Sequence, residues 1–282
     1  MPLLPNETFR YAFNASAVCM SVATLMSTFE YLSLRKEFRS DGAFSWRIFQ
    51  RRLPRFPVFA GLGKTVFSMW GSTVLLSVRA AAGFGLLLGV FILNNWLCSL
   101  SLALILVTGL LLLYRNPFAL EGSDQMCIIV TAGLLVAGMN RSSLAWQMLG
   151  FGFIAAEACL AYLAAGVTKA ISPVWRDGTA LYRILNTTTF GDPAGARLLR
   201  GRRILGLVLC WAVIFFETLF PVALILPSKL LVALFAIGIL FHLGVAVMMG
   251  LNLFLWAYAA TYPAVWFCHS HLRQLIAAHL SS

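Results

Sequence analysis

Residues 230–268 run for nearly forty positions with few polar interruptions, and Gly250-Leu251-Asn252 sits at the middle of the run. A bilayer hydrocarbon core about 30 Å thick is crossed by roughly 20 apolar residues in a helix. The run is too long for one span, so two helices or one sharply broken helix are expected. Further apolar segments of near-spanning length lie at about 13–33, 73–94, 97–114, 126–140, 145–168 and 204–226. The expected fold class is all-α, a multi-pass transmembrane helical bundle of seven or eight spans, with 126–140 the shortest. The whole chain, 1–282, reads as a single integral membrane domain.

Composition points the same way. Hydrophobic residues make up 60% of the chain and charged residues 11%, with a mean hydropathy of +0.86. Soluble domains carry about 45–50% apolar and about 25% charged residues. A water-soluble globule is therefore excluded.

The net charge of +11 comes from 21 Lys and Arg against 10 Asp and Glu. Most of the basic residues fall in segments 34–66 and 169–203, the pattern of cytoplasmic loops between spans. Four spans between these segments, the short one included, place both loops on one side and the N-terminus outside. Segment 34–66 mixes Arg and Lys with Phe, Trp and Ile, as an interfacial connector touching anionic lipid would. Pro54 and Pro57 forbid a long helix there. No nucleic-acid-binding module accompanies the charge, so nucleic acid is not an expected partner.

The six cysteines, at 19, 98, 127, 159, 210 and 268, all fall in or beside apolar segments without a CxxC pair. They read as buried thiols, not as a disulfide framework or a zinc site. The N-terminal residues lack a signal-peptide core, so the first span is expected to target the chain. Gly61-Leu62-Gly63-Lys64-Thr65 contains GKT but not the full phosphate-loop spacing, and HExxH, GxSxG and DxDxG are absent.

Ionisable groups inside spans are costly, at about 2.5–3.5 kcal/mol each on insertion scales, and so mark functional candidates. Glu157 lies mid-segment in 145–168 and needs a proton or a partner. Lys169 is twelve residues further on, about 18 Å along a helix axis, so the two cannot pair on one straight helix. Glu217 precedes Pro221 by four residues. Proline cannot donate to the Glu217 carbonyl, so a kink and a freed carbonyl beside a carboxylate are expected. His242 and Asn252 interrupt the late apolar run, as packing residues or as part of a site. Arg79 is expected to snorkel to an interface. His269, His271 and His279 lack a suitably spaced third ligand, so no metal is expected. Asp124, in Ala119-Leu120-Glu121-Gly122-Ser123-Asp124-Gln125-Met126, is either a helix cap or a carboxylate at the mouth of a bundle.

The stretch AGVTKAISPVWRDGTAL (165–181) resembles the membrane core of the vitamin K-dependent gamma-carboxylases, and more closely its short bacterial relatives, the horizontally transferred transmembrane (HTTM) domain proteins. EGSDQ, the Glu217-to-Pro221 helix and FHLGVAVMMGLNLFLWAYAA follow the family in order, so the resemblance covers about residues 10–268. It implies that Lys169 is the base that deprotonates vitamin K hydroquinone or another quinol, with Thr168 replacing a neighbouring lysine. Asp124 takes the position of a family histidine, and His242 matches a late-helix histidine. The implied catalytic group is Lys169, Asp124, His242 and Glu217. Trp175, Asp177, Gly178, Asn252 and Glu157 are the implied substrate-binding residues.

The implied reaction is a quinol-linked, carboxylase-like modification of a peptide substrate in the bacterial inner membrane, with a partner maturation protein. The large lumenal domain of full carboxylases is not found after the last apolar run. The other readings are a non-catalytic membrane factor in the maturation, export or immunity of a secreted peptide, and a small-substrate transporter. The transporter would favour inverted repeats and unwound midplane helices, and no internal repeat is visible.

Overall fold

The computed structural model describes residues 5–39, 42, 45, 46, 63, 65–115 and 122–280. Helix accounts for 86% of the structure, and no strand occurs among the described residues. The helices are α1 (Pro5–Ser33), α2 (Met69–Phe91), α3 (Asn95–Arg115), α4 (Gly122–Met139), α5 (Leu144–Ile171), α6 (Pro173–Arg176), α7 (Ala180–Leu185), α8 (Pro193–Leu199), α9 (Arg203–Leu219), α10 (Ser228–Met249), α11 (Asn252–Ala259) and α12 (Tyr262–Leu280). Two 3-10 turns, Arg35–Phe38 and Phe220–Leu224, complete the described elements.

Seven helices among the described residues are long and apolar enough to cross a membrane: α1 to α5, α9 with its 3-10 extension, and α10. In α10 only 22% of the apolar window is buried, and Leu240 and Val247 are 67% and 76% exposed. Apolar surface on that scale needs lipid around it. The chain is an integral, multi-pass, all-α membrane protein.

The short segment near 126–140 forms a helix, α4, that is long and apolar enough to span. The run 230–268 breaks twice instead of once. Gly250 ends α10 in the left-handed region at φ 71°, a conformation glycine adopts without the Cβ clash that other residues meet. A second break at Ala260–Thr261 separates α11 from α12. Most of the 34–66 connector, including Pro54, Pro57 and Lys64, lies outside the described residues.

The chain divides into two compact units, Phe13–Gly150 and Met1–Ala12 with Phe151–Ser282. In the first, α2 buries Ser72, Leu75, Leu76, Arg79, Ala82, Gly83, Leu86, Gly89 and Val90, a stripe at helical spacing. Ser68 caps this helix by accepting from the Gly71 amide at 3.0 Å, and the Ser21 hydroxyl donates to the Gly83 carbonyl at 2.7 Å. Small residues and hydroxyls between helices are how apolar helices associate where the hydrophobic effect is absent.

Arg79 departs from the snorkelling expectation. It is 8% exposed, and its Nη1 donates to the Ile105 carbonyl of α3 at 3.1 Å. The side chain lies beside Gly109, where a Cβ would come within 3.2 Å of Nη1, so α3 leaves room for a guanidinium inside the unit. Arg115, also buried, lies over the Phe38 ring at 4.2 Å and donates to the Phe67 carbonyl at 3.3 Å.

The second unit holds α6 to α12 and most of α5. Segment 169–203 is largely helical, where a loop was expected. Helix α5 continues to Ile171 and stops there because Ser172 precedes Pro173, and a residue before proline is pushed out of the α region. Ser172 has ψ 123°. The turns that follow become the short helices α6, α7 and α8. The six thiols are free.

Candidate functional site

Lys169 lies in the last turn of α5, and its ammonium donates to both oxygens of Glu217 on α9, at 2.9 Å to Oε1 and 2.7 Å to Oε2. The pair replaces the simple headgroup anchor that a lysine at the end of a span suggests. It also meets the requirement that a partner for Lys169 come from another helix. The Glu217 side chain is 5% exposed and the Lys169 side chain 22%. The carboxylate is sealed, and the ammonium remains reachable.

Sequence explains how the two charges meet. Gly166 lies one turn before Lys169, and a Cβ there would fall 2.5 Å from the Thr218 amide nitrogen and 2.9 Å from the Glu217 carbonyl carbon. Only a glycine lets the α5 and α9 backbones approach this closely, and the approach sets Lys169 beside Glu217. At the far side, the expected kink at Pro221 takes the form of a helix end, with α9 stopping at Leu219, and the Glu217 carbonyl is not left free. The Phe220 amide takes it as the chain tightens into the 3-10 turn Phe220–Leu224, whose bonds run three residues back.

Trp175 joins the pair, with the Lys169 ammonium 5.3 Å from its ring centroid, within cation–π range. Next to the pair is an aromatic cluster. The Tyr162 hydroxyl is 2.7 Å from His242 Nε2 and 2.8 Å from the Tyr262 hydroxyl. His242 is 3% exposed and stacks on Tyr258 with centroids 4.5 Å apart. Tyr162 packs on Phe220 at 4.0 Å and edge-on to Phe216 at 5.4 Å.

Two buried polar atoms at this site have no hydrogen-bond partner: His242 Nδ1 and Thr218 Oγ1. Whichever tautomer His242 adopts, Nδ1 is left with an unmet donor or acceptor. Unmet groups of this kind are uncommon in folded proteins and call for an explanation.

The remaining candidates have the following surroundings. Asp177 is exposed and serves the turn itself, accepting from the Thr179 amide at 2.9 Å and the Thr179 hydroxyl at 2.7 Å. Those bonds, and then Arg183 and Arg203, hold it below the usual carboxylate range. Gly178 adopts φ +81°, with α9 so close that a Cβ would lie 2.6 Å from Leu207 Cα. Trp211 Nε1 donates to the Arg176 carbonyl at 3.3 Å. The Arg176-to-Thr179 turn is therefore a clasp onto α9.

Glu157 is half-buried on α5, and Asn252 is exposed at the start of α11. Neither has a hydrogen-bond partner among the described residues. Asp124 sits in the first turn of α4, in the unit Phe13–Gly150. His269 binds the Leu224 carbonyl through Nδ1 at 3.2 Å. No group of three or more His, Cys, Asp or Glu suited to a metal occurs among the described residues.

The tyrosines escape a sequence reading because aromatic residues in apolar runs look like packing. One signal was present: Tyr162 precedes Lys169 by seven residues, two helical turns on one face. No protein-family model, curated protein or solved structure matches the chain.

Proposed function

We propose that this membrane protein carries a proton-transfer site for a lipophilic quinol, with Lys169 and Glu217 acting together as the base, as its resemblance to the vitamin K-dependent carboxylase core and the HTTM domain proteins implies. The single observation that carries the reading is the Lys169–Glu217 pair, sealed at the carboxylate and reachable at the ammonium. Nζ and Oε2 are close enough for a proton to pass between them, and in a poorly solvated site a neutral amine–acid pair competes with the ion pair. A neutral Nζ is a competent general base.

The residues suit a quinol. Lys169 and Trp175 offer a base and an aromatic face, and the unpartnered Thr218 hydroxyl offers a polar contact. A bound quinol supplies an ionisable hydroxyl and reducing electrons. Tyr162, His242 and Tyr262 form a hydrogen-bonded chain beside the pair, able to shift a proton by exchanging donor and acceptor roles. Modification of a peptide by such a site is the carboxylase-like outcome, and a partner protein that presents the peptide belongs to the same reading.

The test is oxidation of vitamin K hydroquinone under air by the protein in liposomes. Wild type is expected to exceed empty liposomes, and Lys169→Met to lose about a hundredfold or more, the range of a removed general base. Equal rates for wild type and Lys169→Met remove the base assignment.

One observation favours a second reading. The two charges satisfy each other through two hydrogen bonds, as a purely structural clasp in a non-catalytic maturation, export or immunity factor would. An apolar pair replacing both residues should then preserve function.

A further inference from the structure

On the other side of Phe216 from the aromatic cluster, helices α7, α8, α9 and α10 border an apolar groove of about 460 Å³, lined among others by Leu181, Leu185, Leu199, Phe216, Phe241 and Gly244. The volume lies in the range of small-molecule and lipid sites, about 300–1,000 Å³. Three further lining residues, Leu198, Ile237 and Leu240, are 48%, 52% and 67% exposed, so the groove is open along one side. A hydrogen-bonding ligand would find almost nothing polar in it.

The roof of the groove has the opposite character. Helices α7 and α8 bury Leu185, Ala196 and Leu199 against Met248 and Met249 at the end of α10. Gly195 lets α8 settle onto the Met248 methyl, which a Cβ would strike. The other faces of the same short segments carry Arg183, Arg197, Arg200, Arg202 and Arg203, all exposed. None of the five forms an ion pair among the described residues. Asp177 and Asp192, the acidic residues of this stretch, are engaged as acceptors in a turn and a helix cap. Arg183, Arg197 and Arg200 stand within two residues of the groove's lining leucines, and Arg202 and Arg203 follow within four of Leu199; this basic stretch is complementary to a phosphate at the membrane surface.

We propose that the groove seats one anionic phospholipid, with an acyl chain between α9 and α10 and its phosphate among the arginines of α7, α8 and the start of α9. The chemistry is divided along the molecule: the leucines and phenylalanines give volume without selectivity, and the arginines select the headgroup. The proposal shares no residue with the Lys169–Glu217 pair, so its failure leaves that reading standing.

The test titrates the detergent-purified full chain with phosphatidylglycerol or with phosphatidylcholine of the same acyl chains, and native mass spectrometry reads the bound lipid. Wild type is expected to prefer phosphatidylglycerol by about tenfold or more. The triple variant Arg197→Gln, Arg200→Gln, Arg203→Gln should bring the two lipids level. Gly244→Phe, at a position where a Cβ meets nothing within 4 Å, should lower retention of both lipids. Leu240→Trp, at an exposed groove position, is read in the same way should Gly244→Phe misfold. Equal retention of the two lipids by wild type overturns the proposal. So does unchanged retention in both groove-filling variants, which puts the lipid on the outer surface. Displacement of phosphatidylglycerol by inorganic phosphate alone also overturns it, because the site would then be one for a free anion.

Discussion

Lys169 and Glu217, 48 residues apart, are joined through both carboxylate oxygens at 2.9 and 2.7 Å, across a helix contact that a side chain at position 166 would block. The contact links sequence to chemistry directly. The absence of a Cβ at one position determines whether an ammonium and a carboxylate face each other.

Removing one member of the pair should destabilise the fold. Breaking a buried ion pair costs about 3–5 kcal/mol, and the lower end applies because the Lys169 side chain is 22% exposed. Glu217→Gln and Lys169→Met should each lower the midpoint of thermal unfolding in detergent. The double variant Lys169→Met, Glu217→Met should recover most of the loss, since no charge is left unpaired.

Gly166→Val places a branched side chain against the Thr218 amide and the Glu217 carbonyl. Overpacking of this kind costs about 1–3 kcal/mol, and the helices can relieve it only by separating. The expected result is a lower unfolding midpoint with little further loss when Glu217→Gln is added, because the pair is already parted. Additive losses would mean that the pair survives the wider spacing.

Tyr162→Phe removes the hydroxyl shared by His242 and Tyr262. Leaving buried polar groups unmet costs about 1–3 kcal/mol. Tyr162→Phe should therefore be destabilising, and a double-mutant cycle with His242→Phe should show strong coupling. A coupling near zero would place the Tyr162 hydroxyl in contact with water instead of the imidazole.

Asp177 gives a pH dependence of known sign. The two Thr179 donors stabilise its charged form in the folded chain and so hold its pKa below the unfolded value. Its contribution is present above the unfolded carboxylate pKa, about 3.9, and is lost as pH falls through the lower folded value. The difference in unfolding midpoint between wild type and Asp177→Asn should persist near neutral pH and shrink in acid.

The helices were legible because their signals are long. Some twenty apolar residues announce a span whatever surrounds them, and Pro221 and Gly250 announce where a helix must tighten or stop. Lys169 and Glu217 stood out because charges inside spans are rare. Their pairing did not, since sequence carries no record of which faces of α5 and α9 meet, and Gly166 is one small residue among many. Arg79 misled for a related reason: whether an arginine snorkels or donates to a neighbouring carbonyl depends on the space beside Gly109. The turn geometry of Asp177 and Gly178 was not legible in sequence, because polar and glycine positions serve turns as readily as ligands. Tyr162, Tyr258 and Tyr262 carry no mark that separates a hydrogen-bonded tyrosine from a packed one.

The most direct test of the Lys169–Glu217 pair as a base is vitamin K hydroquinone oxidation by liposomes carrying wild type or the double variant Lys169→Met, Glu217→Met, with folding checked by thermal unfolding. A folded double variant that turns over quinol no faster than empty liposomes, beside an active wild type, is the expected result. A folded double variant with wild-type turnover would contradict the account and leave the pair a structural clasp.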